Sequence, residues 1–578
     1  MALPNTNTSV QAVQRVRIWY GLLLVILAVF GVRLFYIQII RYNHYKNAAL
    51  SDQLKEYQIP AQRGQILAHD GDQTLPIVLN QQLYTLYADP VYIKNASQVA
   101  QAVAPIIGGQ AEDITKQLVT KDTRYVVLAK KLTTDQQAKI TALKYPGLGT
   151  IAVNYRTYPQ GSLAAQVLGF VNDDGQGEYG VEQALDRQLA GTPGQLKAIT
   201  DVRGVPLAAS RDNTSVAPKN GADVTLTLDL AMQQQLETIV AQGAQHAKAA
   251  TVSAVVIDPN TGAIKAMANY PTYDPSQYYK VSNPDVFQNS AVSHPIEVGS
   301  IMKVLTTSAA LDQGVINPDT TYYDPAHWVI DGYTIKNIEE DGGPGTRNLD
   351  QLLNLSLNTG ATWELMQMGG GEVNTKARNA WYDYLTKHYM LGKQTGVEQG
   401  YEATGYVPSP ADNGAAIDLT YANTAFGQAM TATPLQMAAA LASVLNGGTY
   451  YQPHLVDGKT KVVRQGVVSP KIGPELIPLM QYVIDHHGVV PAFDQTHYTV
   501  GGKTGTAQVA KPGGGYYDDQ FNGTYLGFVG GDHPQYVMAV FVEHPTIAGY
   551  AGTVAAQPIF AQMAHWLIDD SYVTPKML

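Results

Sequence analysis

The 578-residue sequence contains no cysteine, which excludes disulfides, zinc-thiolate sites and a cysteine nucleophile and leaves the redox compartment open. Charge is sparse too, at 15% of residues with a formal net charge of -10. A duplex-binding protein needs a basic patch, and no such cluster follows Lys130-Lys131, so nucleic acid is not an expected partner. There is no Gly-x-x-x-x-Gly-Lys-Ser/Thr loop, and Gly369-Gly370-Gly371 reads as a plain loop, so nucleotide is not expected either. The 13 histidines are scattered, without metal-ligand spacing, so neither a metal nor another cofactor is expected. The pair His486-His487 reads as structural, since adjacent residues on a helix point apart. Internal repeats and low-complexity segments are lacking. With 45% hydrophobic residues, the chain reads as folded, and its length calls for at least two domains plus an anchor.

What is present begins with an apolar run. Ile18 to Val32 carries no charge, and the pattern resumes after Arg33 through Ile40. Residues 18–40 thus exceed the roughly 20 needed to cross a bilayer, with Arg33 able to snorkel. No small-x-small cleavage site follows, so the segment reads as an uncleaved anchor rather than a signal peptide. Arg15 and Arg17 precede it while Arg41 and Lys46 follow, which leaves orientation open. Between Asn95 and Leu148 helical periodicity dominates, with Thr134-x-x-Gln137 as a capping box. Val252 to Asp258 and Ala263 to Ala268 read as strands joined by the turn Pro259-Asn260-Thr261-Gly262. Tyr525 to Val529 and Tyr536 to Glu543 form a second hairpin pattern, and a helix is expected at about Ala555 to Asp569. Strands at both ends with helices between them fit an antiparallel sheet flanked by helices.

Three short motifs carry the chemistry: Ser300-Ile301-Met302-Lys303, Ser356-Leu357-Asn358 and Lys503-Thr504-Gly505-Thr506. With 18 serines and 25 lysines, about one Ser-x-x-Lys arises by chance, so the weight lies in the joint occurrence. Ile301 to Gln313 reads as a helix closed by Gly314, placing Lys303 one turn after Ser300 on the same face. A serine hydroxyl needs a base within reach, and Lys303 fits that role if desolvation and a second cation, Lys503, keep it neutral. The Ser356 hydroxyl can relay a proton between either lysine and a leaving amine, while Asn358 can donate to a substrate carbonyl. Lys503 opens a strand pattern able to hold an extended peptide, and Gly505 allows close approach. Lys503, Thr504 and Thr506 can bind a terminal carboxylate.

In this order the motifs resemble those of the penicillin-recognising serine transpeptidases. The anchor and the stretch Gln62-Arg63-Gly64-Gln65-Ile66-Leu67-Ala68-His69-Asp70-Gly71 narrow the resemblance to class B penicillin-binding proteins, as does the pattern Arg156, Tyr158, Pro159, Gly161, Gly169, Gly177, Gly180 and Glu182. The resemblance runs from about residue 18 over most of the chain. It implies an α+β protein with a cytoplasmic tail (1–17), a transmembrane anchor (18–40), an elongated non-catalytic pedestal or dimerisation domain (55–220, helical at about 95–148) and an extracytoplasmic transpeptidase domain (221–578). The implied activity is D,D-transpeptidation of peptidoglycan stem peptides through an acyl-enzyme on Ser300, with backbone N–H groups of Ser300 and Thr506 as oxyanion hole and β-lactams as inhibitors. A polytopic SEDS-type glycosyltransferase and division or elongation proteins are the implied membrane partners, and the compact length resembles the division-specific subtype. The alternatives are a D,D-carboxypeptidase or β-lactamase using the same residues, and a catalytically silent divisome scaffold. Ala68, Val298 and Ala429 stand where the family usually has Asp, Pro and Gly.

Overall fold

The computed structural model describes residues 7–46, 54–120, 123–199, 214–337, 343–412, 414, 416–486, 490–511 and 513–577, so His487 lies outside the described residues. The chain divides into two compact units, Met1–Gln62 with Gly191–Gly221, and Arg63–Ala190 with Ala222–Leu578.

In the first unit a helix spans Asn7–Phe35 and continues as a π-helical turn over Tyr36–Ile40. Arg15–Ile40 is long and apolar enough to cross a membrane, with a mean hydropathy of 2.4 over its most apolar 18 residues, none of them buried in protein. At 1.5 Å per residue such a helix exceeds the roughly 30 Å of a bilayer core. The same unit holds a three-stranded antiparallel sheet, with Gly194–Ile199 between Leu54–Ile59 and Thr214–Val216.

The second unit opens with a five-stranded sheet in which Ile66–Asp70 pairs in parallel with Val224–Asp229 and antiparallel with the long strand Gln73–Ala88. Strands Val126–Leu132 and Leu148–Thr157 pair with that long strand. Helices Ala96–Ile107, Ala111–Val119 and Thr134–Ala142 cover this end around Leu86, Val99, Val103, Leu118 and Ile140. The sequence reading missed strand Val126–Leu132. The capping box is also one residue earlier than expected: Thr133 is the cap and Gln136 its partner, both bonds being present. The run Thr133-Thr134-Asp135-Gln136-Gln137 fits either register, and Gln137 instead bonds Thr141 and Thr150.

Buried ion pairs bind the start of this unit to its later part. Glu182, with no exposed surface, accepts from Arg63 Nε at 2.7 Å and from Arg156 Nε at 2.6 Å. The glycines around it are steric necessities: a Cβ on Gly177 would lie 2.0 Å from the Glu182 carbonyl oxygen.

The remaining helices and strands surround a second antiparallel sheet. Behind it lies helix α1 (Leu230–Ala247). Strands β1 (Thr251–Ile257) and β2 (Ile264–Tyr270) form the expected hairpin, and helices α2 (Met302–Asp312), α3 (Leu349–Asn354), α4 (Asn358–Gly369) and α5 (Ile472–His486) lie in front. Strands β3 (Thr499–Ala510), β4 (Tyr516–Gly530) and β5 (Pro534–Glu543) complete the sheet in the order β2-β1-β5-β4-β3, and α6 (Gln557–Asp569) returns to the back. Period-two alternation sends Val252, Ala254 and Val256 of β1 into the core shared with α1 and α6, and Val255 and Ile257 into the core shared with α2. Both faces are covered, so these strands read as continuous apolar runs. Strand β3 ends the order, and among the described residues no strand pairs with its other side.

Candidate active site

Ser300 lies in the 3-10 turn Gly299–Ile301 that leads into α2, one turn before Lys303. The serine is partly exposed whereas Lys303 and Lys503 have no exposed surface. Lys303 Nζ donates to Asn358 Oδ1 at 2.8 Å, to Ser356 Oγ at 3.3 Å and, in a short contact, to the Ser356 carbonyl. From the other side Lys503 Nζ donates to the same Ser356 Oγ at 3.0 Å and to the Thr504 carbonyl at 3.0 Å. Ser356 Oγ therefore stands between two lysines contributed by α2 and β3. Its backbone has φ +57° between α3 and α4, a left-handed state that costs an L-residue about 1 kcal/mol and is retained where it aims a functional group.

Close backbone packing seats the Ser300 turn against β3. A Cβ on Gly299 would fall 3.0 Å from the Thr506 carbonyl, and one on Gly427 would fall 2.1 Å from the Gly299 carbonyl. Gly299 N–H donates to Gly427 O at 3.0 Å, and Thr524 Oγ1 donates to Val298 O at 2.7 Å. Gly505 has no room for a side chain, since Thr524 Oγ1 lies 2.2 Å from where its Cβ would be. Thr506 Oγ1 accepts from Gly552 N–H at 3.0 Å, which leaves its hydroxyl proton for a ligand. All three motifs thus converge on one cleft.

Several neighbours were not found from sequence. A hairpin of His327–Ile330 and Tyr333–Lys336 supports the second motif: Asn337 exchanges hydrogen bonds with Thr359 at 2.7 and 3.0 Å, Trp328 Nε1 donates to Thr359 O at 3.0 Å, and Asn358 Nδ2 donates to Lys336 O at 3.3 Å. The Asp331-Gly332 turn dipeptide was the available signal. Glu297, three residues before Ser300, accepts from the Ala429 N–H and the Tyr516 hydroxyl, each at 2.9 Å. Ala429 has φ +58°, so replacement of the usual glycine places an alanine in a left-handed conformation.

On α4, Glu364 is wholly buried with no well-formed hydrogen bond to either oxygen. Burial pushes its carboxyl up to about 8, opposed by a hydrogen bond from Thr307 and by Lys303 in its protonated form. The unfolded chain would release this proton near the ordinary value of 4.5, whereas the folded one holds it, so stability falls as pH rises from about 4.5 to 8. At pH 7 the penalty is of order 3 kcal/mol. Glu364→Met is therefore expected to melt above the wild type at pH 7, with a gap that widens from pH 5 to 8. A gap independent of pH in thermal melts would refute this.

Among the described residues no cluster of potential metal ligands occurs. Residues 252–565 match the family described as penicillin binding protein transpeptidase domain, and residues 58–226 match the penicillin-binding protein dimerisation domain. The chain is 32% identical to the penicillin-binding protein PbpB of Mycobacterium tuberculosis, over 96% of this chain and 84% of that one. It is 25% identical to the peptidoglycan D,D-transpeptidase FtsI of Escherichia coli, over 91% and 86%. A crystal structure of penicillin-binding protein 3 from Mycobacterium tuberculosis, complexed with aztreonam, superposes with a TM-score of 0.66 at 26% identity, covering 90% of this chain and 98% of that one. A match over more than half the chain, with motifs that close on one cleft, makes this protein a member of the penicillin-binding protein transpeptidases.

Proposed function

We propose that the protein is a peptidoglycan D,D-transpeptidase, a serine acyltransferase of the class B, FtsI-like kind and a target of β-lactams. The observation that carries this reading is the bridge of Ser356 Oγ between Lys303 and Lys503. In the first half-reaction Ser300 Oγ attacks the penultimate D-Ala carbonyl of a stem peptide and its proton passes to Lys303, acting as a free amine. Backbone N–H groups of Ser300 and Thr506 hold the oxyanion, each worth about 3 kcal/mol in the transition state. The C–N bond then breaks, Ser356 relays a proton to the departing D-Ala nitrogen, and an ester remains on Ser300. An amine of a neighbouring stem peptide attacks that ester, giving up a proton through the same groups and freeing Ser300. Lys503, Thr504 and Thr506 hold the donor's terminal carboxylate, Asn358 holds a donor amide, and Gly505 lets the donor lie close against β3.

The apolar helix supports a single-pass anchor (18–40), and the resemblance to class B proteins supports placing it in the cytoplasmic membrane, with the tail (1–17) cytoplasmic and the catalytic part extracytoplasmic. Matches over 58–226 and 252–565 support a division into a dimerisation domain at 55–220 and a transpeptidase domain at 221–578. The partner proteins would be a SEDS-type glycosyltransferase and division or elongation proteins.

Incubation of the detergent-solubilised chain with benzylpenicillin, followed by intact mass over several hours, tests the reading. A single adduct that persists is expected. Rapid loss of the adduct with hydrolysed drug would point to a hydrolase, and absence of any adduct on folded protein would point to a silent scaffold.

A further inference from the structure

Strand β3 does not stop at the residues that the acyl-transfer reading uses. It continues four residues past Thr506 to Ala510, and β4 begins at Tyr516, which pairs with Ala510. The terminal carboxylate is placed at Lys503 and Thr504 and the reacting carbonyl at Thr506. The upstream residues of a donor peptide then run outward along β3, past Gln508 toward Ala510. A compact β-lactam does not extend that far.

Tyr516 supplies the side-chain link from this outer half to the loop before Ser300: its hydroxyl bonds Glu297 and also meets the Ala429 backbone. Among the described residues, the side-chain hydrogen bonds of positions 508–520 are Gln508 to Tyr517 O, within the hairpin, and Tyr516 to Glu297. The turn between the strands has Gly513, Gly514 and Gly515 at positive φ and is closed by Lys511 N–H to Gly515 O at 2.8 Å and Gly514 N–H to Lys511 O at 3.1 Å, so its own bonds hold it within the hairpin and none of them ties it to the loop before Ser300. Glu297 is well placed to act as an anchor. The same oxygen that accepts from Tyr516 also accepts from Ala429 N–H at 2.9 Å. The flanking loop is stitched to the same region by the Ile296–Ala432 bridge and by Gly299 N–H to Gly427 O. Burial pushes the Glu297 carboxyl up, and in its ionised form it holds Tyr516 and Ala429 N–H more strongly than a neutral acceptor would.

We propose that Glu297 and Tyr516 are positioning residues that clasp the outer β3–β4 hairpin to the nucleophile loop, and that this clasp selects for extended peptide donors. Strand addition requires an ordered template strand. With the clasp in place, the donor's upstream residues meet a fixed edge; without it, that edge must be ordered at each binding event, and the loss falls on apparent affinity for long donors. The proposal rests on the transpeptidase reading of the cleft.

The test uses the full chain in detergent and two acylating probes, benzylpenicillin and a full stem peptide whose terminal D-Ala is replaced by D-thiolactate, a thioester. Tyr516→Phe removes one hydroxyl and keeps the ring. It is expected to raise KM for the stem-peptide thioester about tenfold with kcat little changed, the worth of one hydrogen bond to a charged acceptor. Acylation by benzylpenicillin is expected to change by less than about threefold, within the usual effect of a surface substitution. Glu297→Gln should shift the same parameter in the same direction, and Tyr516→Phe added to it should cost little more, because both break one link. Equal slowing of both probes, or no effect on either, would overturn the clasp. A wild-type chain that reacts with neither probe would instead overturn the acyl-transfer reading, and the clasp with it.

Discussion

Ser300→Ala is expected to abolish the covalent penicillin adduct while leaving the melting temperature of the chain unchanged. The serine is partly exposed in a turn whose conformation is set by Gly299 and its contacts with Gly427 and Thr506, so removal of one hydroxyl leaves the packing intact. Its loss removes the only atom assigned to carry the acyl group. Lys303→Ala should behave differently. Loss of a general base lowers acylation by about 10²–10⁴-fold, and here the same change also strips Asn358 Oδ1 and the Ser356 carbonyl of a donor. Two acceptors in a buried cleft are then left short of partners, at a cost of about 1–3 kcal/mol each. Intact mass after penicillin treatment and thermal melts separate the two variants: Ser300→Ala has no adduct and a wild-type melt, whereas Lys303→Ala acylates slowly and melts early. A penicillin adduct on Ser300→Ala would remove the nucleophile assignment.

The three motifs were legible because each is local: four residues bring Ser300 and Lys303 onto one helical face, and Lys503 to Thr506 lie along one strand. The alternation of β1 and the helical spacing of α6 were legible for the same reason. What was missed lies in contacts between distant positions. Glu297 meets Ala429 across 132 positions and Tyr516 across 219, and nothing in the sequence around either partner marks the pairing. The outer part of β4 begins Tyr516-Tyr517-Asp518-Asp519-Gln520, a polar run without the apolar alternation of a half-buried strand, so the expected strand began nine residues late, at Tyr525. Strand Val126–Leu132 was hidden by helical patterns on both sides, and its pairing with Gln73–Ala88 bridges some forty positions. At Thr133 and Thr134 two overlapping capping boxes were equally legible, and side-chain geometry alone decides between them.

Arg63, Arg156 and Glu182 show the same limit, since their positions in the sequence do not disclose that one carboxylate serves both arginines. Glu182→Leu is expected to destabilise the protein by about 3–5 kcal/mol, the usual result of removing one partner from a buried ionic cluster. Arg63 would retain Asp186 Oδ1 at 2.7 Å. Arg156 would be the more damaged, because among the described residues it has beyond Glu182 only Asn80 Oδ1 at 3.0 Å, with no partner at Nη2. The site around Ser300 draws its contacts from other elements, so penicillin acylation per folded molecule should stay at the wild-type rate while the melting temperature falls by several degrees. A second variant distinguishes loss of the ion pairs from loss of packing. If the cost is the uncompensated charge of Arg156, then adding Arg156→Met to Glu182→Leu should recover a large part of the lost stability, because apolar replacement of a buried ionic group is often neutral or favourable. A double variant no more stable than Glu182→Leu would assign the loss to shape rather than charge.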